Sequence, residues 1–326
     1  MNRTRALQAV GLSVAVLTAA VVHSDVTWSK SVQYDGGKTP TVSVLGDLVV
    51  EVHKSGGLDT LWYRVGRLDP EAMTVIWNKS VQYDSGVRPS VALGPGGAVV
   101  EVHESEGADT LWYHVGRVDP ARGAIQWSKS VKYDNGRHPS VTMDTDGNIL
   151  EVHVSDGFPN LWYHVGRLDP SGNSVTWSKS IKYDTGINPT VAFAGPGVVV
   201  EVHESEGADT LWYHVGRLES GDTVVEWGKS VRFDTGVTAT IGAREGGRVV
   251  EVHKSEANDT LWYHTGALAS DSFSIDWGES VRYDRGVGPA IGVGARGEIV
   301  EVHKSQNVDT LWSHVGSFSE GVAKRD

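Results

Sequence analysis

The sequence Glu101-Val102-His103-Glu104-Ser105-Glu106-Gly107-Ala108-Asp109-Thr110-Leu111-Trp112-Tyr113-His114-Val115-Gly116 decides the fold of this chain because it is repeated. The same stretch returns at residues 201–216, and looser copies begin at Glu51, Glu151, Glu251 and Glu301. The six copies start 50 residues apart without drift. Self-similarity at a fixed period is typical of an array built from one supersecondary unit.

Each period contains four short runs with strand character and no helical stretch. In one period these runs are residues 99–103, 111–115, 125–133 and 139–143. The third run alternates with period two, so we expect a single strand with one face carrying Trp127, Lys129, Val131 and Tyr133. Four strands in about fifty residues is the format of a β-propeller blade.

The order of the strands along the chain predicts a closed ring. Inner, second and third strands occur six times, whereas an outer strand follows only five times, at Trp77, Trp127, Trp177, Trp227 and Trp277. The sixth outer strand is residues 26–34, and we expect it to pair beside the last third strand near Ser317. We therefore predict an all-β, six-bladed β-propeller of four-stranded blades, closed by the N-terminal strand joining the last blade.

Residues 1–20 stand outside the repeat and have the composition of a signal peptide. Arg3 and Arg5 form a basic start, an apolar run covers residues 6–22, and Thr18-Ala19-Ala20 offers small residues for cleavage. A membrane anchor is the alternative, although the run is short for a spanning helix, which needs about 20 apolar residues. We expect a secreted protein whose propeller domain covers residues 21–326.

The composition narrows the function classes. The chain contains no cysteine, which excludes disulfides, thiolate metal ligands and a thiol nucleophile. Its formal net charge is −12, and binding to nucleic acid depends on neutralising phosphates. We therefore expect no nucleic-acid partner and no membrane insertion after signal cleavage.

All twelve tryptophans occupy two positions of the repeat. One set opens the outer strands: Trp28, Trp77, Trp127, Trp177, Trp227 and Trp277. The other set lies in the third strands: Trp62, Trp112, Trp162, Trp212, Trp262 and Trp312. Packing between neighbouring blades is one interpretation, since each ring hides about 150–250 Å². The alternative, for the third-strand set above all, is a stacking platform for the C–H faces of sugars.

Charged residues recur beside the third-strand tryptophans. If His103 pairs opposite Trp112, then Glu101 lies opposite His114 and all four share one face, because strand side chains alternate. These residues form the predicted ligand-binding set: Glu51, His53, Trp62, Glu101, His103, Trp112, His114, Glu151, His153, Trp162, His164, Glu201, His203, Trp212, His214, Glu251, His253, Trp262, His264, Glu301, His303, Trp312 and His314. Arg64 replaces the second histidine in the first copy. The alternative is a buried, hydrogen-bonded Glu–His pair between blades.

Two further repeated features concern the outer strand and the loops. A lysine follows the outer tryptophan by two residues in five copies and either pairs with the repeated Glu or extends into solvent. The turns between second and third strands and the Tyr-Asp-x-Gly connections between blades are expected to open on the same face. That face would carry recurring carboxylates and aromatics, which suit hydroxyl-rich ligands or serve as turn caps and packing groups.

Catalytic, metal and cofactor sites are not expected from the sequence. A catalytic site is usually singular, whereas each suggestive feature here recurs about six times, and paired carboxylates need different environments to act as acid and base. Pairs of histidines could ligate zinc, but the sequence offers no evident third protein ligand. We therefore expect a protein that is not an enzyme and holds no cofactor.

The repeat resembles the blades of secreted bacterial and fungal propeller lectins, especially the fucose-binding ones. The resemblance rests on an apolar-x-Val-His strand, a turn with Asp, a Leu-Trp pair and an outer-strand Trp, and it covers residues 26–317. It implies sugar pockets between adjacent blades, built by a Trp, a carboxylate and an Arg, with Trp112 and Glu101 as the first two. The Arg lacks a constant counterpart, because Arg67, Arg117, Arg167 and Arg217 give way to Ala267 and Ser317.

These observations favour a secreted, multivalent carbohydrate-binding protein whose partners are glycans or glycoconjugates. Several weak sites on one rigid ring would gain avidity towards a glycan-covered surface. The alternative is a protein-interaction ring with purely structural repeats, whose contact site would be a patch of non-repeated residues, for example around Phe158.

Overall fold

The computed structural model describes residues 25–169, 171–269 and 273–319, which form six antiparallel sheets of five strands each. The predicted signal segment, residues 1–20, lies outside the described residues. Within the described ranges, no helix has the length and apolar character needed to cross a bilayer. The predicted six-bladed propeller is thus confirmed.

The strand bounds repeat from blade to blade. The N-terminal segment supplies two strands of blade six: β1 (Val26–Trp28) and β2 (Val32–Gly36). Blade one contains β3 (Lys38–Leu45), β4 (Leu48–Lys54), β5 (Thr60–Asp69), β6 (Thr74–Trp77) and β7 (Val81–Ser85). Blade two contains β8 (Val87–Gly94), the 3-10 helix Pro95–Gly97, β9 (Ala98–Glu104), β10 (Thr110–Asp119), β11 (Ala124–Trp127) and β12 (Val131–Asn135). Blade three contains β13 (Arg137–Met143), β14 (Asn148–Val154), β15 (Asn160–Leu168), β16 (Val175–Trp177) and β17 (Ile181–Thr185).

The remaining blades follow the same plan. Blade four contains β18 (Ile187–Gly195), β19 (Val198–Glu204), β20 (Thr210–Arg217), β21 (Glu226–Trp227) and β22 (Val231–Thr235). Blade five contains β23 (Val237–Arg244), β24 (Arg248–Lys254), β25 (Thr260–Leu268), β26 (Ile275–Trp277) and β27 (Val281–Arg285). Blade six contains β28 (Val287–Val293), β29 (Glu298–Lys304) and β30 (Thr310–Phe318) besides β1 and β2.

The outer edge of each blade consists of two short strands, and the prediction of one continuous outer strand is wrong. In blade two, β11 and β12 both pair with β10, and residues 128–130 separate them. At the break, the Ser128 N–H donates to the Val115 carbonyl, and Asn78 and Gly228 make the same backbone hydrogen bond in blades one and four. The Ser128 hydroxyl also accepts from the Val115 N–H at 3.0 Å. The alternation is therefore reset, so that Trp127 contacts blade one while Tyr133 contacts Trp177 in blade three.

The ring closes as predicted, through the N-terminal segment. Strand β1 pairs antiparallel with β30, with Val26 opposite Phe318, and β2 continues along the same strand with Val32 opposite Ser313. Blade six therefore receives its outer edge from the other end of the chain. Closure leaves only short sheet edges exposed to solvent.

The hydrophobic core lies between blades, which explains why the apolar positions of every strand recur. Between blades one and two, Val50, Val52 and Tyr63 pack against Val91 and Val99. The outer tryptophan packs at the periphery of this interface, where Trp127 stacks on Tyr83 of blade one with ring centroids 5.0 Å apart. The packing interpretation of the outer tryptophans is therefore confirmed.

One face of the ring carries both kinds of loop, as the sequence predicts. The connection between blades hydrogen-bonds to the preceding turn between second and third strands, as in Gly86 N–H to Asp59 O and Gly136 N–H to Asp109 O, both 2.8 Å. We call this the upper face and define it by the six turns 55–59, 105–109, 155–159, 205–209, 255–259 and 305–309.

Candidate functional site

The predicted pairing of the second and third strands is the observed one. His103 lies opposite Trp112, and Glu101 lies opposite His114. The same register holds in the other five blades. The Glu, the two histidines and the tryptophan of one blade therefore project from one face, towards the preceding blade.

The repeated Glu lies within the blade interface. Glu101 is 0% exposed, and its carboxylate accepts hydrogen bonds from His103 Nδ1 at 3.1 Å and from Tyr83 OH at 2.8 Å. Tyr83 belongs to blade one, so this contact joins neighbouring blades. Burial, together with the charge of Glu101, raises the pKa of Tyr83 well above its usual value, which keeps the hydroxyl a donor.

The second histidine joins the blades through a different carboxylate. His114 Nδ1 lies 2.9 Å from the Ser128 carbonyl, and Nε2 lies 2.7 Å from Asp84 Oδ2 of blade one. Both partners are acceptors, so in the packed site each ring nitrogen carries a proton and the ring is an imidazolium. Burial opposes this charge, but the Asp84 hydrogen bond and Glu101 raise the pKa of His114. Burial also works against the charge of Asp84, and the hydrogen bond from His114 overcomes it, lowering the pKa of Asp84 to about 2.

Five blade interfaces hold this arrangement, with Asp84, Asp134, Asp184, Asp234 and Asp284 in equivalent positions. Each aspartate also lies 3.7–3.9 Å from Nε2 of the first histidine. In blade one, Arg64 takes the place of the second histidine and its Nε lies 3.1 Å from Asp35. The sequence did not reveal these His–His–Asp clusters, because the aspartate comes from the preceding blade, 30 residues before the histidine. The constant Tyr-Asp spacing at each connection was the available signal.

A glycine covers each first histidine. A Cβ at Gly86 would come within 2.7 Å of His103 Cδ2, and equivalent contacts of 2.5–2.8 Å occur in the other five interfaces. The glycine of the Tyr-Asp-x-Gly connection is therefore required by close approach of the backbone to the ring.

The third-strand tryptophans lie at the upper ends of their strands and are half-buried. The Trp112 Nε1–H donates to Thr110 Oγ1 at 3.0 Å, whereas Trp162, beside Asn160 instead of a threonine, has no partner for its buried Nε1. Among the predicted ligand-binding residues, the tryptophans thus retain exposed surface, while the glutamates and histidines are engaged between blades. A role of this set in ligand binding stays a prediction.

The repeated lysines take the solvated position. Lys30, Lys79, Lys129, Lys179 and Lys229 are exposed beside the break in the outer edge, as is Glu279 at the same position in blade five. Phe158, named in the protein-interaction hypothesis, is 68% exposed at the tip of its turn.

A second group of residues surrounds the mouth of the central channel on the upper face. Each inner strand begins there with a residue in the left-handed region, at φ of 48–57°. These residues are Thr39, Arg88, His138, Asn188, Thr238 and Gly288. The backbone repeats at this position while the side chain changes, and non-glycine residues at such φ carry strain. At the mouth, six equivalent strand ends therefore present differing residues around one opening. The repeat pattern of the sequence did not reveal this group.

Hydrogen bonds join three blades at this mouth into a polar arc. Arg88 Nη1 lies 2.9 Å from Glu104 Oε2, which also accepts from the His138 N–H at 3.2 Å. His138 hydrogen-bonds in turn to Asn188, whose Nδ2 donates to Glu204 Oε1 at 2.8 Å. The two carboxylates are almost fully buried behind the lining residues. The polar arc is defined as Arg88, Glu104, His138, Asn188 and Glu204.

Burial and charge perturb the ionisation of the polar arc. Burial and the positive charges of Arg88 and Arg137 lower the pKa of His138 to about 4, so this imidazole is neutral at neutral pH. Burial raises the pKa of Glu204, against the hydrogen bonds from Asn188 and Thr238. Perturbed ionisation in a concave site is a recognised mark of function.

Fold and site together define the chain as a six-bladed all-β propeller with an asymmetric polar mouth. Its fold is similar to a Trypanosoma rangeli sialidase, at 12% identity and a TM-score of 0.58, over 86% of this chain and 55% of the sialidase. It is also similar to the Penicillium chrysogenum α-L-arabinanase solved with arabinobiose, at 12% identity and a TM-score of 0.60, over 91% of this chain and 100% of that one. The chain spans about half the length of the sialidase. No protein-family model and no curated protein sequence matches the chain.

The expectation that the chain is not an enzyme is corrected by these neighbours. Both are propellers named as carbohydrate-active enzymes, a sialidase and an arabinanase. The physical error was to treat repetition as evidence against a singular site. A ring of similar blades has one axis, and the side chains that differ between blades meet there, as at the channel mouth.

Proposed function

We propose that this chain recognises a carbohydrate at the upper mouth of its central channel. The observation that carries the proposal is the polar arc, where Arg88, His138 and Asn188 line one cavity with the prolines that follow them. Sugars present apolar C–H faces and directional hydroxyls, which suit a pocket with apolar walls and a few placed polar groups. The similarity of the fold to a sialidase and to an arabinanase solved with arabinobiose supports the same ligand class.

Natural variation among the blades supplies matched variants for the test. Blade one has Thr39 and Lys54 where blade two has Arg88 and Glu104, and Lys54 pairs with Asp59 at 2.6 Å. The double substitution of Arg88→Thr with Glu104→Lys copies blade one, and Asp109 is in place to receive the lysine. Such a variant keeps a side-chain combination that the propeller already accommodates.

The experiment is a glycan-array screen followed by calorimetry and by an assay for glycoside hydrolysis. We expect binding to the wild-type chain and its loss in the double variant, with folding checked by circular dichroism. A folded wild-type chain that binds no glycan would contradict the proposal. If the wild-type chain hydrolyses the bound glycan and the double variant does not, the proposal would extend to catalysis at this site.

Multivalent lectin-type binding, including fucose recognition, is a second candidate, favoured by the half-exposed tryptophans that recur on the upper face. Trp112→Ala and Trp212→Ala separate it from the first. Stepwise loss of avidity with each tryptophan, together with full binding by the channel-mouth variant, would support the rim sites. The opposite pattern would support the channel mouth.

Export of the protein is also part of the proposal and rests on the signal-peptide composition of residues 1–20. N-terminal sequencing of protein recovered from culture medium tests it. A mature chain beginning near Val21 is the expected result, whereas an intact N-terminus retained with cells would contradict it.

A further inference from the structure

We propose that the five His–His–Asp clusters between blades are binding sites for a divalent transition-metal ion of the Zn²⁺ type. The ligands in the first site are His103 Nε2, His114 Nε2 and Asp84 Oδ2. In four clusters, one ligand atom from each of these three residues lies within 4.8 Å of the others. The fifth has Asp134 Oδ2 at 2.8 Å from His164 and 3.8 Å from His153.

The surroundings of the two histidines are those of oriented metal ligands. In the first cluster, His103 Nδ1–H donates to the buried Glu101 carboxylate and His114 Nδ1–H donates to the Ser128 carbonyl. Metal-bound histidines in proteins generally donate their other N–H to a carboxylate or a backbone carbonyl in this way. Both Nε2 atoms are thereby directed at the same carboxylate oxygen.

The hydrogen bonds of the cluster engage only one of the two histidine Nε2 atoms. One proton joins His114 Nε2 to Asp84, but His103 Nε2 lies 3.8 Å from the same oxygen, beyond hydrogen-bond reach. His103 is only 2% exposed, and its Nε2 faces Asp84 Oδ2 at an ion-pair distance and not at a hydrogen-bond distance. A metal ion would bind both Nε2 atoms and the carboxylate, and the proton between His114 and Asp84 would leave to solvent.

The chemistry of the donor set selects the ion. Two imidazole nitrogens and one carboxylate are one of the three-ligand protein sets that hold Zn²⁺ with a fourth position for water, and the same set suits Fe²⁺. Asp84 is 27% exposed in its side chain, which gives that fourth position a route to solvent. Imidazole ligands disfavour Ca²⁺ and Mg²⁺, which prefer oxygen.

Blade one is a natural comparison for the five clusters. Arg64 stands where the second histidine would be, and its guanidinium forms an ion pair with Asp35 and donates a hydrogen bond to the Tyr34 carbonyl. A guanidinium cannot coordinate a cation and fills the same space with fixed charge. The proposal therefore assigns no metal to this interface.

The test measures zinc stoichiometry in the whole chain. Chelator-treated protein is titrated with Zn²⁺ at neutral pH by calorimetry, and retained zinc is counted by mass spectrometry after dialysis. The wild-type chain should retain five ions, His114→Arg four and Arg64→His six. Each variant copies a side chain that another blade already accommodates, so both should fold. His138→Ala, which lies outside the clusters, is the control and should retain five.

A spectroscopic readout separates coordination from adventitious binding. Co²⁺ in place of Zn²⁺ should give visible absorption whose intensity falls by one fifth in His114→Arg. Zinc should also raise the melting temperature of the wild-type chain, because a ligand that binds only the folded state stabilises it. A folded wild-type chain that retains no zinc, or an equal zinc count in wild type and His114→Arg, would overturn the proposal.

Discussion

The repeated Glu is a charged residue with no exposed surface, and the structure shows how each copy is tolerated. Glu201 accepts from His203 Nδ1 at 3.0 Å and from Tyr183 OH at 2.9 Å. A buried carboxylate is costly unless its hydrogen-bonding capacity is used, so these donors are what make its burial between blades tolerable. The network also crosses the interface, since the tyrosine belongs to the preceding blade. Its loss would weaken the contact between two blades.

The interface between blades four and five lacks one donor of this network, the tyrosine hydroxyl, and this gives the first prediction. Phe233 stands where other blades have tyrosine, and it stacks on Trp277 in the same way. Phe233→Tyr should stabilise the protein by about 1 kcal/mol, because the new hydroxyl can donate to Glu251. The matched reverse change, Tyr183→Phe, should destabilise it by a similar amount. Urea unfolding midpoints measure both, and a stabilised Tyr183→Phe variant would contradict the assignment.

His138 gives a prediction on acid stability. Its pKa is about 4 in the folded chain and 6.5 unfolded, so the unfolded state binds more protons as the pH falls through that window. Stability from this residue is complete above pH 6.5 and is lost towards pH 4, by about 3 kcal/mol at most. His138→Gln should flatten this part of the curve of unfolding free energy against pH. Parallel curves of unfolding free energy against pH for wild type and variant would show that His138 does not contribute this pH dependence.

At the scale of the element, the strand pattern and the hairpin register followed from the sequence, but the outer edge did not. The register could be predicted because a slip of one residue would move Glu101 and His103 to the opposite face. The split after Trp127 is marked by a backbone hydrogen bond from the Ser128 N–H to the Val115 carbonyl, repeated at Asn78 and Gly228, which alternation of residue types does not record. Tyr133 and Asp134 open a Tyr-Asp-x-Gly connection on the upper face, and their side chains complete the buried network of the next blade.

The third and outer strands meet so closely that only glycine fits between them, which gives a prediction for this element. Gly116 lies opposite Trp127, and a Cβ there would come within 2.6 Å of Ile125 Cγ2 and 2.7 Å of Trp127 Cε3. Gly116→Ala should destabilise the protein by about 1–3 kcal/mol through overpacking and should alter tryptophan fluorescence. Gly57→Ala is the control, since a Cβ at that position meets nothing within 4 Å. Equal unfolding midpoints for the two variants would contradict this explanation.

At the scale of the molecule, closing the ring brings together residue clusters that no single blade contains. The number of repeats and the surplus N-terminal strand were enough to predict six blades and a closed ring. Both follow from local sequence patterns and from the order of the strands along the chain. The channel mouth and the His–His–Asp clusters could not be predicted, because each combines residues from different blades. Asp84 reaches His114 across an interface, and the polar arc extends from Arg88 to Glu204 through three blades. Repetition therefore produces closely similar interfaces around one central mouth whose side chains differ from blade to blade.

Closure of the ring gives the last prediction, because blade six depends on the N-terminal segment for its outer edge. Trp28 stacks on Tyr283 with ring centroids 5.1 Å apart, and the Ser29 carbonyl accepts from His314 Nδ1 at 2.9 Å. A chain that begins at Gly37 loses β1 and β2, so two blade faces and the edge of β30 become exposed. We expect its melting temperature to fall steeply and its tendency to aggregate to rise.

A synthetic peptide of residues 25–36 should restore the truncated chain in trans, since it carries both missing strands. Its binding should raise the melting temperature in proportion to the logarithm of peptide concentration above Kd. The same peptide with Trp28→Ala and Ser29→Ala is the matched control and should fail, because it lacks the stacking ring and the hydroxyl that accepts from the Val315 N–H at 3.0 Å. Equal rescue by both peptides would show that backbone pairing alone closes the ring. A truncated chain as stable as the full one would show that closure does not hold the propeller together.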